Sequence, residues 1–179
     1  YLSSTGSNTR RIDVGPNSQI TFSSSWIISG SNYTFYTSGG TTITLDGPDA
    51  IFEGAGQTYD YLELRGSGTA IVKGANTFTQ LQRLGTASKT DGILFDAGQT
   101  INQLLALIGD SATNRLFVGS TVPGTQRTLT ANVINQGYNV GYNANFQDIN
   151  GLGGFWNYGS LGAGTSGNCG GNSNITFTT

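Results

Sequence analysis

Short runs in which apolar residues alternate with Ser, Thr or charged residues recur along this chain, separated by Gly, Asn and Asp. Residues 17–29, NSQITFSSSWIIS, and residues 40–46, GTTITLD, are of this kind. Alternation of period two over about four to eight residues predicts half-buried β-strands. From Ile51 the alternation becomes a repeated phrase. IFEGAGQTYDYLEL begins at Ile51, IVKGANTFTQLQRL at Ile71, LFDAGQTINQLLAL at Leu94 and LFVGSTVPGTQRTL at Leu116. Phe52, Val72, Phe95 and Phe117 thus recur at spacings of 20, 23 and 22 residues. In the first three units an apolar pair, a charged residue and a small Gly/Ala turn lead to Thr58, Thr77 or Thr100. Tyr59, Phe78 or Ile101 follows, and three positions on comes Leu62, Leu81 or Leu104.

A period of this length, built from short strands and glycine-rich turns, predicts one coil of a β-solenoid per repeat. Each strand then lies about 4.8 Å from its counterpart in the next coil, so equivalent residues stack and must satisfy the same neighbours. The leucine-rich repeat shares the period, but its LxxLxLxxN signature is missing and no helical segment alternates with the strands. Parallel crossovers are right-handed in nearly all cases, which makes the expected fold class an all-β, right-handed parallel β-helix. Phe52, Val72, Phe95 and Phe117 are expected to form one interior column. The expected organisation is a single domain over 1–179, with N-terminal strands or a cap at 1–40, repeat coils at 41–150 and a glycine-rich C-terminal cap at 151–179. The last strand is expected at Asn174 to Thr178.

Composition agrees with that architecture and removes several functions. The 179 residues include 28 Gly, 3 Pro, no His and no Met, and only 10% are charged, against roughly 25% in an ordinary soluble domain. Plentiful β-branched and aromatic residues and a net charge of −2 exclude disorder driven by low hydrophobicity. The eight basic residues are scattered, so no nucleic-acid partner is expected. The longest apolar stretches, such as Leu104 to Ile108, are too short for membrane insertion. No stretch reads as a signal peptide, and an opening Tyr1 in place of Met suits a processed form or a piece of a longer protein. Cys169 is the single cysteine, so no internal disulfide can form.

The succession IVKGANTFTQLQRL, KTDGILFDAGQT, VPGTQRTLTAN, NVGYNANFQDINGLGG and NSNITFTT resembles repeat modules of phage structural proteins and bacterial surface proteins. In those modules a G-x-N-T-F coil precedes xAGxT, GTQxxL and V-x-Y-x-x-F-x-D-I coils. The resemblance runs from about Ile51 to the C-terminus and is weakest over the first fifty residues. It implies a parallel β-helix serving as tail fibre, spike, virion decoration or adhesin, located on a virion or an extracellular surface, and it brings no catalytic set.

Candidate chemistry is sparse. Glu53, Lys73 and Asp96 hold equivalent places in successive units, which predicts a charge ladder along one face. One reading is a binding strip or a catalytic carboxylate pair; the other is alternation that avoids like-charge stacking. Glycosidase carboxylates stand about 5–5.5 Å or about 6.5–9.5 Å apart. Glu53 and Asp96, two coils apart, would be about 9.6 Å apart with Lys73 between them. Asp46, Asp49 and Glu53 form the densest acidic cluster but lack the D-x-[DN]-x-[DN]-G calcium pattern, and LDGPD serves equally as a Pro/Gly turn. Without His, a Cys/His zinc site and a His-based triad are excluded. Neither a metal nor a cofactor is expected.

The aromatics are the better clue. Trp26, Tyr33, Phe35 and Tyr36 gather in the N-terminal half and Phe155, Trp156 and Tyr158 near the C-terminal cap. They could plug the ends of the solenoid core, fill a subunit interface or grip a sugar. Three functions follow: a non-enzymatic virion module, a bacterial surface adhesin, or a polysaccharide-degrading β-helix enzyme. The partners expected of the first are other virion proteins or a host-surface glycan, with the chain itself expected as a homo-oligomer, of which a trimer is one form.

Overall fold

The structure is a computed structural model describing residues 2–3, 8–30, 32–37, 39–132, 142–154, 156–158 and 166–177. Among these residues the protein is all-β, without helices, and winds as a parallel β-solenoid of about 6 turns. The chain opens with β1 (Leu2–Ser3), β2 (Arg10–Val14), β3 (Gln19–Phe22), β4 (Trp26–Ser29), β5 (Tyr33–Thr37) and β6 (Thr42–Leu45). The middle consists of β7 (Ile51–Glu53), β8 (Thr58–Leu64), β9 (Thr69–Lys73), β10 (Thr77–Leu84), β11 (Asp91–Phe95) and β12 (Gln99–Ile108). It closes with β13 (Leu116–Ser120), β14 (Arg127–Ala131), β15 (Ala144–Gln147), β16 (Ile149–Gly153) and β17 (Ser166–Asn168).

Each pass of the chain adds a parallel strand to each of two sheets. Eight strands run in the order β1-β4-β7-β9-β11-β13-β15-β17, seven in the order β3-β6-β8-β10-β12-β14-β16, and β2 pairs with β5. The alternation read in the sequence turns one set of side chains inward: β9 buries Ala70 and Val72 and points Thr69, Ile71 and Lys73 outward. Trp26, Phe52, Val72 and Phe95 then stack in register as one buried column. Tyr59, Phe78 and Ile101 form a second. Phe35 stacks on Tyr59 with ring centroids 4.8 Å apart, and Tyr59 on Phe78 at 5.9 Å, geometries that add to plain area burial.

Phe117 does not continue the first column. Phe95 pairs with Ser120, while Phe117 lies between Gly92 and Asn145 and faces outward, with Leu116 and Val118 buried on either side. LFVG is therefore three residues out of phase with LFDA. The turn at residues 121–126, longer than the one at 96–98, lets the shifted strand rejoin the second sheet. Leu104 is displaced too. An irregularity after Phe78 pairs Gln80 with Leu104 and sets Leu105, not Leu104, beside Leu81, as an extra residue in a bulged strand does. At the C-terminal end β16 and β17 extend both sheets. The strand expected over 174–178 is replaced by isolated bridges at Ser173 and Thr176. Asn174, with a φ of 58°, breaks the extended run between them; Thr178 lies outside the described residues.

One interior column holds a charge. Leu45, Leu64, Arg83 and Leu107 are in register, and Arg83 is fully buried. Its guanidinium donates to four carbonyls: Leu64 at 3.2 Å, Leu84 at 2.8 Å, Gly68 at 2.8 Å and Gly92 at 3.2 Å. The buried Asp91 carboxylate stands 3.9 Å away, itself accepting from the Gly68 N–H at 2.6 Å and the Thr86 hydroxyl at 2.8 Å. Burial pulls the Arg83 guanidinium below its ordinary range, and the charges of Asp91 and then Asp49 push back.

Two outcomes follow for denaturant unfolding. Phe95→Ala costs about 3–5 kcal/mol, the range for a large buried ring, and Phe117→Ala less than half as much; equal losses would contradict the register. Arg83→Ala leaves a buried carboxylate and several carbonyls without their donor and costs about 3–5 kcal/mol. A loss below about 1 kcal/mol would place the guanidinium in solvent.

Candidate functional site

Strands β3, β6 and β8 lie side by side in the seven-stranded sheet. Their inward residues, Ile20 and Phe22, Ile43 and Leu45, Leu62 and Leu64, belong to the core or pack against it. The intervening residues face outward. Register aligns them in two polar ranks, Gln19 with Thr42 and Tyr61, and Thr21 with Thr44 and Glu63. On β10, Gln80 and Gln82 continue the ranks. Just past the strand ends, Asp46 and Arg65 add a third. Gln19, Thr21, Thr42, Thr44, Asp46, Glu63 and Arg65 line a groove of about 270 Å³.

Inside the groove the Arg65 guanidinium meets the Glu63 carboxylate at 2.7 Å, and the Thr44 hydroxyl donates to the same carboxylate oxygen at 3.2 Å. Arg65 keeps 56% of its side chain exposed and Glu63 keeps 23%, so both remain open to a ligand. Hydroxyl, amide and guanidinium donors alternate here with carboxylate acceptors on a platform fixed by the sheet. Such a surface can hydrogen-bond a polar ligand without reorganising.

The aromatics singled out in the sequence go elsewhere. Trp26, Tyr33, Phe35, Trp156 and Tyr158 are all buried. Trp26 packs edge-on against Phe22 and Phe35. Tyr158 stacks on Phe146 and meets Trp156 edge-on, and the Trp156 indole donates to the Leu152 carbonyl at 3.0 Å. Burial pushes the Tyr59 and Tyr158 phenols well above their usual range. These rings are core, with their faces closed to a ligand. Tyr36 is 50% exposed, with the Arg11 guanidinium 4.4 Å above its ring. Phe155 lies outside the described residues.

The charge ladder is formed in part. Glu53 is opposite Lys73, with their charged atoms 3.9 Å apart at the surface, a contact worth at most about 1 kcal/mol. Asp96 instead accepts the Gly74 N–H at 2.8 Å and so fixes a turn. Asp46, Asp49 and Glu53 diverge: Asp46 lines the groove, Asp49 accepts the Thr69 N–H at 2.7 Å, and Glu53 faces Lys73. Cys169 is an exposed thiol.

Of the groove residues only Asp46 was a candidate in the sequence. The signal was present as the outward positions of QITF, TITL and YLEL, but overlaying them needs the register of the first coils, where the repeat is faintest. The chain matches no family model, no curated protein and no solved structure, so the groove's own chemistry must speak for its use.

Proposed function

We propose that this chain is a non-enzymatic structural and interaction module, a component of a phage virion such as a fibre, spike or capsid decoration, displayed outside the cell. The observation that carries this reading is the continuous parallel pairing of strands from β3 to β16, interrupted by a single bulge between β10 and β12. Ladders that bond every strand to both neighbours make a stiff platform, which suits presentation of a surface. The virion assignment draws on the resemblance of the repeat phrases to phage structural modules. Assembly is as a homotrimer. Supporting this is the outer face of the eight-stranded sheet, where Ile51, Ile71 and Leu94 stand in register as a partly buried apolar row, a composition suited to the centre of a subunit contact.

Light scattering on the purified chain is expected to give a trimer mass, and Ile71→Arg, which sets a charge in the row, a monomer. A native chain that stays monomeric at all concentrations contradicts the assembly. Capsular and cell-wall polysaccharides incubated with the protein are expected to stay intact; new reducing ends would overturn the non-enzymatic assignment.

A further inference from the structure

We propose that the groove on β3, β6 and β8 binds an extended, uncharged polysaccharide whose chain runs along the solenoid axis, across the strands. The inference rests on the reading of the protein as a binding module and gives its groove a ligand class.

Spacing is the first argument. Each rank supplies one polar side chain per strand, at intervals of about 4.8 Å. A hexopyranose in an extended chain advances by a similar length, so successive sugars meet successive strands in equivalent positions. Outward side chains on one strand are about 6.6 Å apart, which places the two ranks at opposite edges of a sugar ring. The groove spans three strands, enough for two or three units.

Chemistry is the second argument. Sugar hydroxyls both donate and accept, and the ranks offer both partners: the carboxylates of Asp46 and Glu63 accept, the Arg65 guanidinium donates, and Gln19, Thr21, Thr42 and Thr44 do either. Tyr61, in the same rank as Thr42, supplies an aromatic surface for sugar C–H groups. Charge then selects among polymers. Two carboxylates face one guanidinium, itself engaged with Glu63 at 2.7 Å, so an acidic polymer is repelled. All of these groups except Asp46 and Arg65, which flank the ends of β6 and β8, sit on strands held by the core, and little of their side-chain entropy is lost on binding.

The test is calorimetric titration of the full chain with neutral hexaoses of β-1,4-glucose, α-1,6-glucose and mannose, with a galacturonic acid hexamer as the acidic comparison. At least one neutral hexaose is expected to bind and the acidic hexamer not to. Glu63→Gln should weaken binding by roughly tenfold or more, the effect of losing a charge-assisted hydrogen bond. Thr21→Arg, which fills the groove from its exposed edge, should abolish it, and Gln147→Ala on the other sheet should change nothing. Melting curves matching the native protein confirm that the variants fold. Absence of binding by every neutral hexaose, preference for the acidic hexamer, or binding undiminished in both groove variants overturns the proposal. Mass analysis of the recovered sugar separates the two levels: shortened products contradict the non-enzymatic module and leave the groove assignment standing, whereas intact sugar that never bound contradicts the groove alone.

Discussion

Parallel stacking in register is the constraint on which the rest of this structure depends. A residue in a central strand faces its equivalents in the pass before and the pass after, so its size and polarity must suit both. Thr58, Thr77, Thr100 and Thr130 show this on the surface, one threonine above another across four strands. Asn76 and Gln99 show it inside a turn. Asn76 accepts from the Gly56 N–H at 3.0 Å and donates to the Lys73 and Gly74 carbonyls at 2.9 Å. Its amide also reaches Gln99, which in turn donates to the Gly74 and Ala97 carbonyls. Buried side-chain amides thereby satisfy backbone groups of three successive turns that would otherwise lack partners. Glycine enters where passes touch: any side chain at Gly66 would collide with the backbone of Gly47 one pass earlier.

Arg83 follows from the same constraint. In a column of leucines a guanidinium is an expensive substitution unless every donor direction ends on an acceptor. The carbonyls of Leu64, Gly68, Leu84 and Gly92 take four of the five N–H donors, and Asp91, 3.9 Å away, balances the charge. One residue thus ties β8, β10, β11 and the turn that leads into β9 together. Its presence favours a single register over slipped alternatives, since a shift by one residue would carry the charge to the outer face.

Repetition made the architecture legible, and phase shifts hid part of it. Thr58, Thr77 and Thr100, and Tyr59, Phe78 and Ile101, pair as the repeat implies, because the turns that precede them, 54–57, 74–76 and 96–98, differ by no more than one residue. Phe117 misled because LFVG copies the letters of LFDA while its strand pairs three positions out of phase with that phrase. Leu104 misled because a bulge cannot be seen in an alternation of apolar residues. The aromatic clusters were visible as composition, but whether a ring plugs a core or meets a ligand depends on which way its strand faces. Five of the seven turned inward. The groove was hidden for the opposite reason: Thr, Gln and Glu on outward positions are what any solvated strand carries, and only register gathers them into ranks.

Structure and proposed use meet in the same feature, since the register that stiffens the core also sets the spacing of the outer ranks. The most direct test of that register is oxidative cross-linking of paired cysteines in a Cys169→Ser background. Thr100 and Thr130 are direct neighbours on adjacent strands, at a separation within disulfide reach, whereas Thr58 and Thr130 lie three strands apart. The double variant Thr100→Cys/Thr130→Cys is expected to give the linked peptide on mild oxidation, and Thr58→Cys/Thr130→Cys none within one chain. A linked peptide from the distant pair, or none from the adjacent one, would contradict the stacking from which both the core and the groove follow.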